Sequence, residues 1–135
     1  MNAGAAGVIL HVDDEQSVRA SMAILLRTDG YGVSSAASGT EALQLASDGL
    51  HPDVLIVDFN LGEQMNGAVV AEQIRQIIRY TPPIIMLTGD VSRAKFPHIA
   101  EVVVWLTRKP LNPQLLLVTL PSLVQLSRAT RNLLS

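Results

Sequence analysis

Five short apolar segments alternate with amphipathic segments along the chain, and this alternation limits the possible fold more than any other feature. Short, nearly continuous apolar runs are typical of strands that are buried on both faces of a sheet. They lie at residues 8–12, 31–37, 53–58, 84–88 and 101–107. Strands that alternate with helices form a parallel sheet, with right-handed crossovers and helices on both faces. The sequence therefore predicts an α/β fold, a three-layer doubly wound sandwich around a five-stranded parallel sheet.

The segments between these strands have apolar residues at helical spacing. The predicted helices cover residues 16–28, a segment after the Ser38–Glu41 capping box, a segment that ends at Ile78, part of 89–100, and a last helix from Pro113. Pro121 is expected to kink or restart the last helix. We expect a flexible leader at 1–7, one domain at 8–127, and a helix end or tail at 128–135.

Composition excludes several classes of function. The chain has 135 residues, a net charge of −2 and a pI near 5.8, which disfavours a broad nucleic-acid-binding surface. It has no cysteine, so disulfides, thiol chemistry and cysteine-based zinc sites are excluded. No segment approaches the roughly 18 consecutive apolar residues of a membrane span. We expect a cytoplasmic protein, or a cytoplasmic part of a larger membrane-attached one.

Polar residues collect where the predicted strands end. Asp13 and Asp14 follow the first strand, Asp58 ends the third, Thr88 ends the fourth and Lys109 follows the fifth. Ligands of such sheets bind at this edge. Three neighbouring carboxylates repel one another unless a cation is present, and an all-oxygen site suits Mg²⁺. A metal, an ammonium and a hydroxyl around a carboxylate suit phosphoryl transfer onto that carboxylate, with Asp58 as the nucleophile.

Four short motifs resemble the receiver domain of two-component response regulators. They are VDDE (12–15), VDFNL (57–61), LTG (87–89) and KP (109–110), in that order, within a resemblance that covers about residues 8–127. No single motif is specific, but all four together at strand ends are. The resemblance implies the flavodoxin-like strand order 2-1-3-4-5.

The resemblance also implies a role for each site residue. Asp58 accepts the phosphoryl group from a phosphohistidine donor, Thr88 hydrogen-bonds that group, and Lys109 pairs with one of its oxygens. Mg²⁺ is the implied cofactor, and its implied ligands are Asp13, Asp14, Asp58 and the backbone carbonyl of Asn60. The domain would assist its own phosphorylation and dephosphorylation without being an enzyme for another substrate. The Lys109–Pro110 peptide is expected to be cis.

The implied partners are a histidine kinase or a histidine phosphotransfer domain. Self-association is expected through the helix within 89–100, the fifth strand and the last helix, and we expect no nucleic acid and no direct membrane contact. Leu106 stands where the family usually has its switch aromatic, and Trp105 is expected to point to the opposite face. The loop at 59–66 also departs from the family pattern. With Leu106, the segment from LTGD to KPLNPQLL most resembles receivers of hybrid sensor histidine kinases.

Other interpretations remain open from the residues alone. Asp14 could cap the first helix and Asp58 could start an Asx-turn, without any metal. A pseudo-receiver that only binds other proteins would keep the fold and lose the chemistry. A haloacid-dehalogenase-like phosphatase also uses an aspartyl nucleophile, but it needs a second acid where this chain has Asn60.

Overall fold

The computed structural model describes residues 6–62, 65–89 and 103–134, with the side chains of 103, 104 and 134 left out. Its elements in chain order are β1 (Val8–Val12), α1 (Gln16–Thr28), β2 (Gly32–Ala36), α2 (Gly39–Ser47), β3 (Val54–Asp58), α3 (Gly67–Ile78), β4 (Ile84–Thr88), β5 (Val103–Arg108) and α4 (Pro113–Leu134). The short helix predicted within 89–100, most of the predicted leader at 1–7, and part of the loop at 59–66 lie outside the described residues.

All five strands form one parallel sheet in the order β2-β1-β3-β4-β5, which confirms the predicted fold. The chain leaves β1 toward β2 on one side and reaches β3 on the other side. This change of direction opens a crevice at the carboxyl ends of β1 and β3. Because Val12 pairs with Val57, Asp13 and Asp58 follow on neighbouring strands at the same height.

Alternate residues of each strand enter two separate apolar cores, since successive side chains point to opposite faces. Leu10, Leu55 and Met86 pack with α2 and α3 on one face. Ile9 and Ile56 pack with α1 and α4 on the other face. Both faces of the sheet are therefore covered, which explains why the strands have nearly continuous apolar sequences.

The predicted capping box begins α2. Ser38 Oγ accepts a hydrogen bond from the Glu41 N–H at 3.1 Å, and the Glu41 carboxylate accepts one from the Ala37 N–H at 3.3 Å. Asn66 caps α3 in the same way, accepting from the Val69 N–H at 2.9 Å. These caps satisfy N–H groups that have no partner within the helix.

The last helix is one continuous element, so of the predicted kink or restart at Pro121 the restart is wrong. The proline is exposed, whereas Leu120 and Val124 on either side of it are buried against the sheet. Packing on this common face holds both halves in one helix, although Pro121 cannot donate a backbone hydrogen bond. In the described ranges, no helix has the length and apolar character that crossing a membrane requires.

Residues 128–134 continue α4, and two of them bind a buried acid at the opposite edge of the sheet from the crevice. Asp53 is buried next to β3 and accepts a hydrogen bond from the Val8 N–H at 2.8 Å. It also accepts hydrogen bonds from Arg128, at 3.2 Å to one oxygen, and from Arg131. The charges of both arginines are thus directed at one buried carboxylate.

Candidate functional site

Asp58 is a fully buried acid at the end of the central strand β3. Its Oδ1 accepts a hydrogen bond from the Asn60 N–H at 3.1 Å, and its Oδ2 accepts one from Lys109 Nζ at 2.6 Å. Burial is the largest influence on the carboxyl and raises its pKa, while the hydrogen bonds from Lys109 and Asn60 act against that rise. The hydrogen bond from the Asn60 N–H to Asp58 is the contact of an Asx-turn, but it engages only one of the two carboxylate oxygens of Asp58.

Lys109 reaches Asp58 from the end of β5. Its backbone N–H donates to the Thr88 carbonyl at 2.9 Å, and the Lys109–Pro110 peptide is cis, as predicted. Burial alone would lower the pKa of the ammonium. The hydrogen bond to Asp58 and the nearby carboxylates of Asp13 and Glu15 outweigh that influence, so the pKa of Lys109 is raised and the side chain is cationic.

Asp13 is fixed by three hydrogen bonds. Its Oδ1 accepts from the Glu15 N–H at 2.9 Å, its backbone N–H donates to the Ala36 carbonyl at 3.0 Å, and its carbonyl accepts from the Arg19 guanidinium at 2.8 Å. Asp14 is exposed. The N-cap residue of α1 is Glu15, whose side chain makes no capping hydrogen bond, so the alternative in which Asp14 caps this helix is wrong.

The three acids meet at one point. One carboxylate oxygen each of Asp13, Asp14 and Asp58 lies within 4.8 Å of the others. Within the described residues, Lys109 is the cation that contacts a carboxylate of this cluster, so the three acids outnumber the ammonium that binds them. Converging carboxylates that leave room for waters and a phosphate oxygen suit Mg²⁺, and the residues present therefore fit this ion.

Thr88 is buried at the end of β4, one strand away from Asp58. Asn60 lies two residues after the end of β3 and forms an isolated bridge with Asn66 across the loop. The sequence thus correctly predicted that residues from four segments of the chain would reach the same edge of the sheet. The metal-ligand role of the Asn60 carbonyl and the phosphoryl contact of Thr88 remain predictions.

Trp105 and Leu106 lie on opposite faces of β5, as predicted. Leu106 packs against the core of α2 and α3, whereas Trp105 packs against the core of α1 and α4. The only tryptophan of the chain therefore does not occupy the strand face on which the family usually carries its switch aromatic.

Two residues that shape the site were not singled out from the sequence. Arg19 lies in the second turn of α1 and binds the main chain of Asp13, six residues earlier. Gly67 begins α3 so close to the main chain of Asp58 that an added Cβ would collide with the Asp58 carbonyl oxygen and lie 3.0 Å from Met86 Sδ. Gly67 could have been noticed from the sequence, because a glycine in the first turn of a helix lowers helix propensity and therefore suggests a special structural role.

A groove of about 710 Å³ opens beside the acids, between α1 and the start of α4. Asp13, Glu15 and Lys109 stand at its polar end. The remainder of its lining is mainly apolar and consists of Val18, Met22, Leu25, Leu87, Pro110, Leu111, Pro113 and Leu116, with Ser17 and Ser21 on the α1 side.

A doubly wound parallel sheet with an acidic crevice facing a lysine defines a class of phosphoryl-accepting signalling domains, and comparison with known proteins identifies the family. Residues 9–120 match the sequence profile of the response regulator receiver domain. The chain therefore belongs to the response regulator receiver family, and it is a receiver module of the two-component type.

Curated relatives and solved structures agree with this assignment. The chain is 39% identical over 81 residues to the alkaline phosphatase synthesis transcriptional regulatory protein PhoP of Bacillus subtilis, covering 60% of this chain and 32% of that protein. It is 36% identical over 78 residues to the regulatory protein AtoC of Escherichia coli, covering 58% of this chain and 16% of that protein. The chain thus spans about a third or less of the length of these relatives.

Two solved structures show the same fold over nearly the whole chain. The N-terminal domain of a response regulator/sensory box/GGDEF three-domain protein from Carboxydothermus hydrogenoformans has a TM-score of 0.80 and 30% identity, covering 91% of this chain and 98% of that one. The chemotaxis protein CheY4 of Vibrio cholerae has a TM-score of 0.73 and 35% identity, covering 86% and 97%.

Proposed function

We propose that Asp58 is the phosphoryl acceptor of this receiver and that Asp13, Asp14, Thr88 and Lys109 complete its site. The contact between Lys109 Nζ and Asp58 Oδ2 at 2.6 Å carries the proposal. It places a cation beside a fully buried carboxylate of the acidic cluster. A buried nucleophile with a neighbouring ammonium is the arrangement that acyl phosphate formation requires.

In the proposed reaction an Asp58 oxygen attacks the phosphorus of a phosphohistidine. The new O–P bond forms as the P–N bond breaks, and the imidazole leaves with the bonding electron pair. Lys109 balances negative charge on the transferring oxygens, and the Thr88 hydroxyl donates a hydrogen bond to one of them. Water then attacks the phosphorus of the aspartyl phosphate, the bond between the Asp58 oxygen and phosphorus breaks, and inorganic phosphate is released as the Asp58 carboxylate is restored, so the same residues promote dephosphorylation.

Asp13, Asp14, Asp58 and the Asn60 carbonyl would hold Mg²⁺. When bound, the ion neutralises charge on the carboxylates and on a phosphoryl oxygen. Arg19 keeps the Asp13 main chain in place, and the Asn60 N–H fixes the orientation of the Asp58 carboxylate. These contacts preorganise the acids before a donor arrives.

The partner that fits is a histidine kinase or a histidine phosphotransfer domain. The groove between α1 and the start of α4 reaches from an apolar floor to Asp13 and Lys109, so a donor helix that lies in it would bring its phosphohistidine to Asp58.

The absence of nucleic-acid and direct membrane contacts, the cytoplasmic location and the hybrid-kinase origin remain predictions. Several relatives are named transcriptional regulators, and the chain matches only part of their length.

The test is phosphorylation of the whole chain with acetyl phosphate and Mg²⁺, followed by intact mass spectrometry. The wild type gains the mass of one phosphoryl group, and Asp58→Asn gains none. Asp48→Asn, which changes an exposed acid in a hydrogen bond with Gln44, is the matched control and is phosphorylated like the wild type. Phosphorylation of Asp58→Asn, or none of the wild type with either acetyl phosphate or a phosphohistidine donor, contradicts the proposal.

A further inference from the structure

Met65 lies in the loop between β3 and α3, and its side chain fills a niche at the start of α2. The niche exists because Gly39, the first residue of α2, has no side chain and is buried. A Cβ built on Gly39 would lie 3.0 Å from Met65 Sδ and 2.6 Å from Val70 Cγ2. Met65 also packs against the core of α2 and α3. This contact, which we call the Gly39 niche, fastens the loop to α2.

The same loop carries Asn60 beside the acceptor carboxylate. The Asn60 N–H donates a hydrogen bond to Asp58 Oδ1 at 3.1 Å, and Asn60 forms an isolated antiparallel bridge with Asn66. Met65 directly precedes Asn66. A displacement of Met65 therefore moves the bridge partner of Asn60 and, through it, the Asn60 main chain.

Main-chain hydrogen bonds fix the base of the loop. The Phe59 N–H donates to the Leu87 carbonyl at 2.7 Å, and the Phe59 carbonyl accepts from the Gly67 N–H at 2.7 Å. Above this base, the described residues of the returning chain are Met65 and Asn66, and Asn66 is exposed. Met65 is thus the apolar anchor of the returning chain in the described part of the loop.

A main-chain carbonyl depends on such an anchor more than a side-chain ligand does. A carboxylate can turn about its own bonds toward a metal, whereas a main-chain carbonyl is positioned only by the path of its loop. If the loop is loose, metal binding must order it, and this ordering reduces the affinity. Contacts that orient the ligands of a metal site are therefore as important as the ligands themselves.

We propose that Met65 is a positioning residue for the metal site, which holds the Asn60 carbonyl in its binding position by filling the Gly39 niche. The proposal rests on the proposed function, in which this carbonyl is a Mg²⁺ ligand. Met65 contacts neither the metal nor the phosphoryl group and acts only through the loop. An unbranched thioether suits this task because it fills irregular gaps between main-chain segments.

Mg²⁺ titrations of the full chain, followed by NMR, test the proposal without a phosphodonor. Met65→Ala empties the Gly39 niche and weakens Mg²⁺ binding by about tenfold. Met65→Leu conserves the apolar volume and stays within about twofold of the wild-type affinity. The control is Leu50→Ala, because Leu50 is also partly buried against this core but precedes β3 at the opposite edge of the sheet, so its Mg²⁺ affinity is unchanged.

Gly39→Ala reaches the same contact from α2. Its methyl group displaces Met65 Sδ, so Mg²⁺ binding weakens in this variant as well. Because Gly39→Ala and Met65→Ala alter the niche from opposite sides, one of them tests the proposal even if the other does not fold. Circular dichroism verifies the fold of each variant.

Phosphorylation by acetyl phosphate at a series of Mg²⁺ concentrations separates positioning from a loss of folded protein. Met65→Ala raises the half-saturating Mg²⁺ concentration by the same factor as the dissociation constant. The rate at saturating Mg²⁺ stays within about twofold of the wild type, because the bound metal restores the order of the loop and the contact between Lys109 and Asp58 is intact. A variant with a purely structural defect loses rate at saturating Mg²⁺ instead.

Wild-type Mg²⁺ affinity in folded Met65→Ala or folded Gly39→Ala overturns the proposal. Equal weakening in Leu50→Ala also overturns it, since the effect would then belong to the core in general, and so does a Met65→Leu variant as weak as Met65→Ala. The proposed function fails separately: a wild type that binds Mg²⁺ but is not labelled by acetyl phosphate or a phosphohistidine donor contradicts phosphoryl transfer, while the comparison of Mg²⁺ affinities still decides the role of Met65.

Discussion

Lys109 Nζ donates a hydrogen bond to Asp58 Oδ2 at 2.6 Å, although 51 residues separate the two along the chain. The contact spans β3 to β5, with β4 between them in the sheet. It therefore requires the long lysine side chain to reach across a strand end. The carboxylate of Asp58 is therefore buried, and its charge is partly neutralised by Lys109.

Replacement of Lys109 with methionine separates metal binding from phosphorylation. Loss of the ammonium removes a positive charge from the acidic cluster, so at neutral pH Lys109→Met binds Mg²⁺ more tightly than the wild type. The rate of phosphorylation by acetyl phosphate falls by about tenfold or more, because charge on the transferring oxygens is less well balanced. Isothermal titration and mass spectrometry measure the two effects. A parallel loss of Mg²⁺ affinity would show that Lys109 acts only through folding.

Replacement of Gly67 with alanine disturbs the acceptor strand directly. The added methyl group collides with the Asp58 main chain, so α3 or the end of β3 must move. We expect a loss of about 2 kcal/mol in the free energy of unfolding, typical of overpacking, together with slower phosphorylation.

Gly89→Ala is the control for Gly67→Ala, because an added Cβ at Gly89 meets nothing within 4 Å and stands at the same edge of the sheet. Urea unfolding measures the stability of both variants, and mass spectrometry measures their labelling by acetyl phosphate. Equal effects of the two substitutions would argue against a specific close approach at Gly67.

Replacement of Asp53 with alanine tests the ion pairs at the opposite edge. The buried carboxylate holds Arg128, Arg131 and the Val8 N–H, so its removal leaves several partners unsatisfied. We expect a loss of about 3 kcal/mol in the free energy of unfolding, with the site chemistry of the remaining folded protein unchanged. Glu72→Ala removes a more exposed pair with Arg75 and costs less than about 1 kcal/mol. Urea unfolding at neutral pH compares the two.

His11 makes the fold sensitive to acid. It is fully buried in β1, neither ring nitrogen has a hydrogen-bond partner among the described residues, and burial lowers its pKa to about 4. The unfolded chain then takes up a proton near pH 6.5 while the folded protein does not. Stability is complete above pH 6.5 and falls toward pH 4, by about 3 kcal/mol from this group.

His11→Leu is expected to remove that part of the pH dependence, since leucine does not titrate. His51→Gln, at an exposed position, is the control and keeps the wild-type dependence. Urea unfolding between pH 4 and 7 in the presence of a chelator gives the comparison. Identical curves for wild type and His11→Leu would show that the histidine titrates normally in the folded protein.

Metal binding to the acidic cluster should weaken in acid earlier than at an ordinary carboxylate site. Burial raises the pKa of Asp58, and the proton competes with Mg²⁺ for the same oxygens. The Mg²⁺ affinity is therefore constant at neutral pH and falls as the pH decreases toward the raised pKa. Asp58→Asn lowers the affinity overall and removes the part of the pH dependence that comes from protonation of Asp58. Titrations at several pH values, followed by NMR, measure both effects.

The sequence by itself determined the layers of this protein and the edge at which its chemistry lies. Apolar runs buried on both faces specify parallel strands, and the ends of such strands meet in space whatever the loops do. Asp13, Asp58, Thr88 and Lys109 could therefore be placed together from their positions at strand ends alone. The family motifs then supplied an expected role for each of them.

Only the tertiary structure decided which side chains are partners. Several contacts join segments whose local sequence patterns are independent of one another. They are the hydrogen bond of Arg19 to Asp13, the close approach of Gly67 to Asp58, and the ion pairs of Arg128 and Arg131 with Asp53. The continuity of α4 through Pro121 has the same origin. The local sequence predicts a kink or a restart at Pro121, whereas burial of one face against the sheet keeps both halves in one helix despite the missing hydrogen bond. Local periodicity reports which face of an element is buried, but distances between elements exist only once the chain has folded.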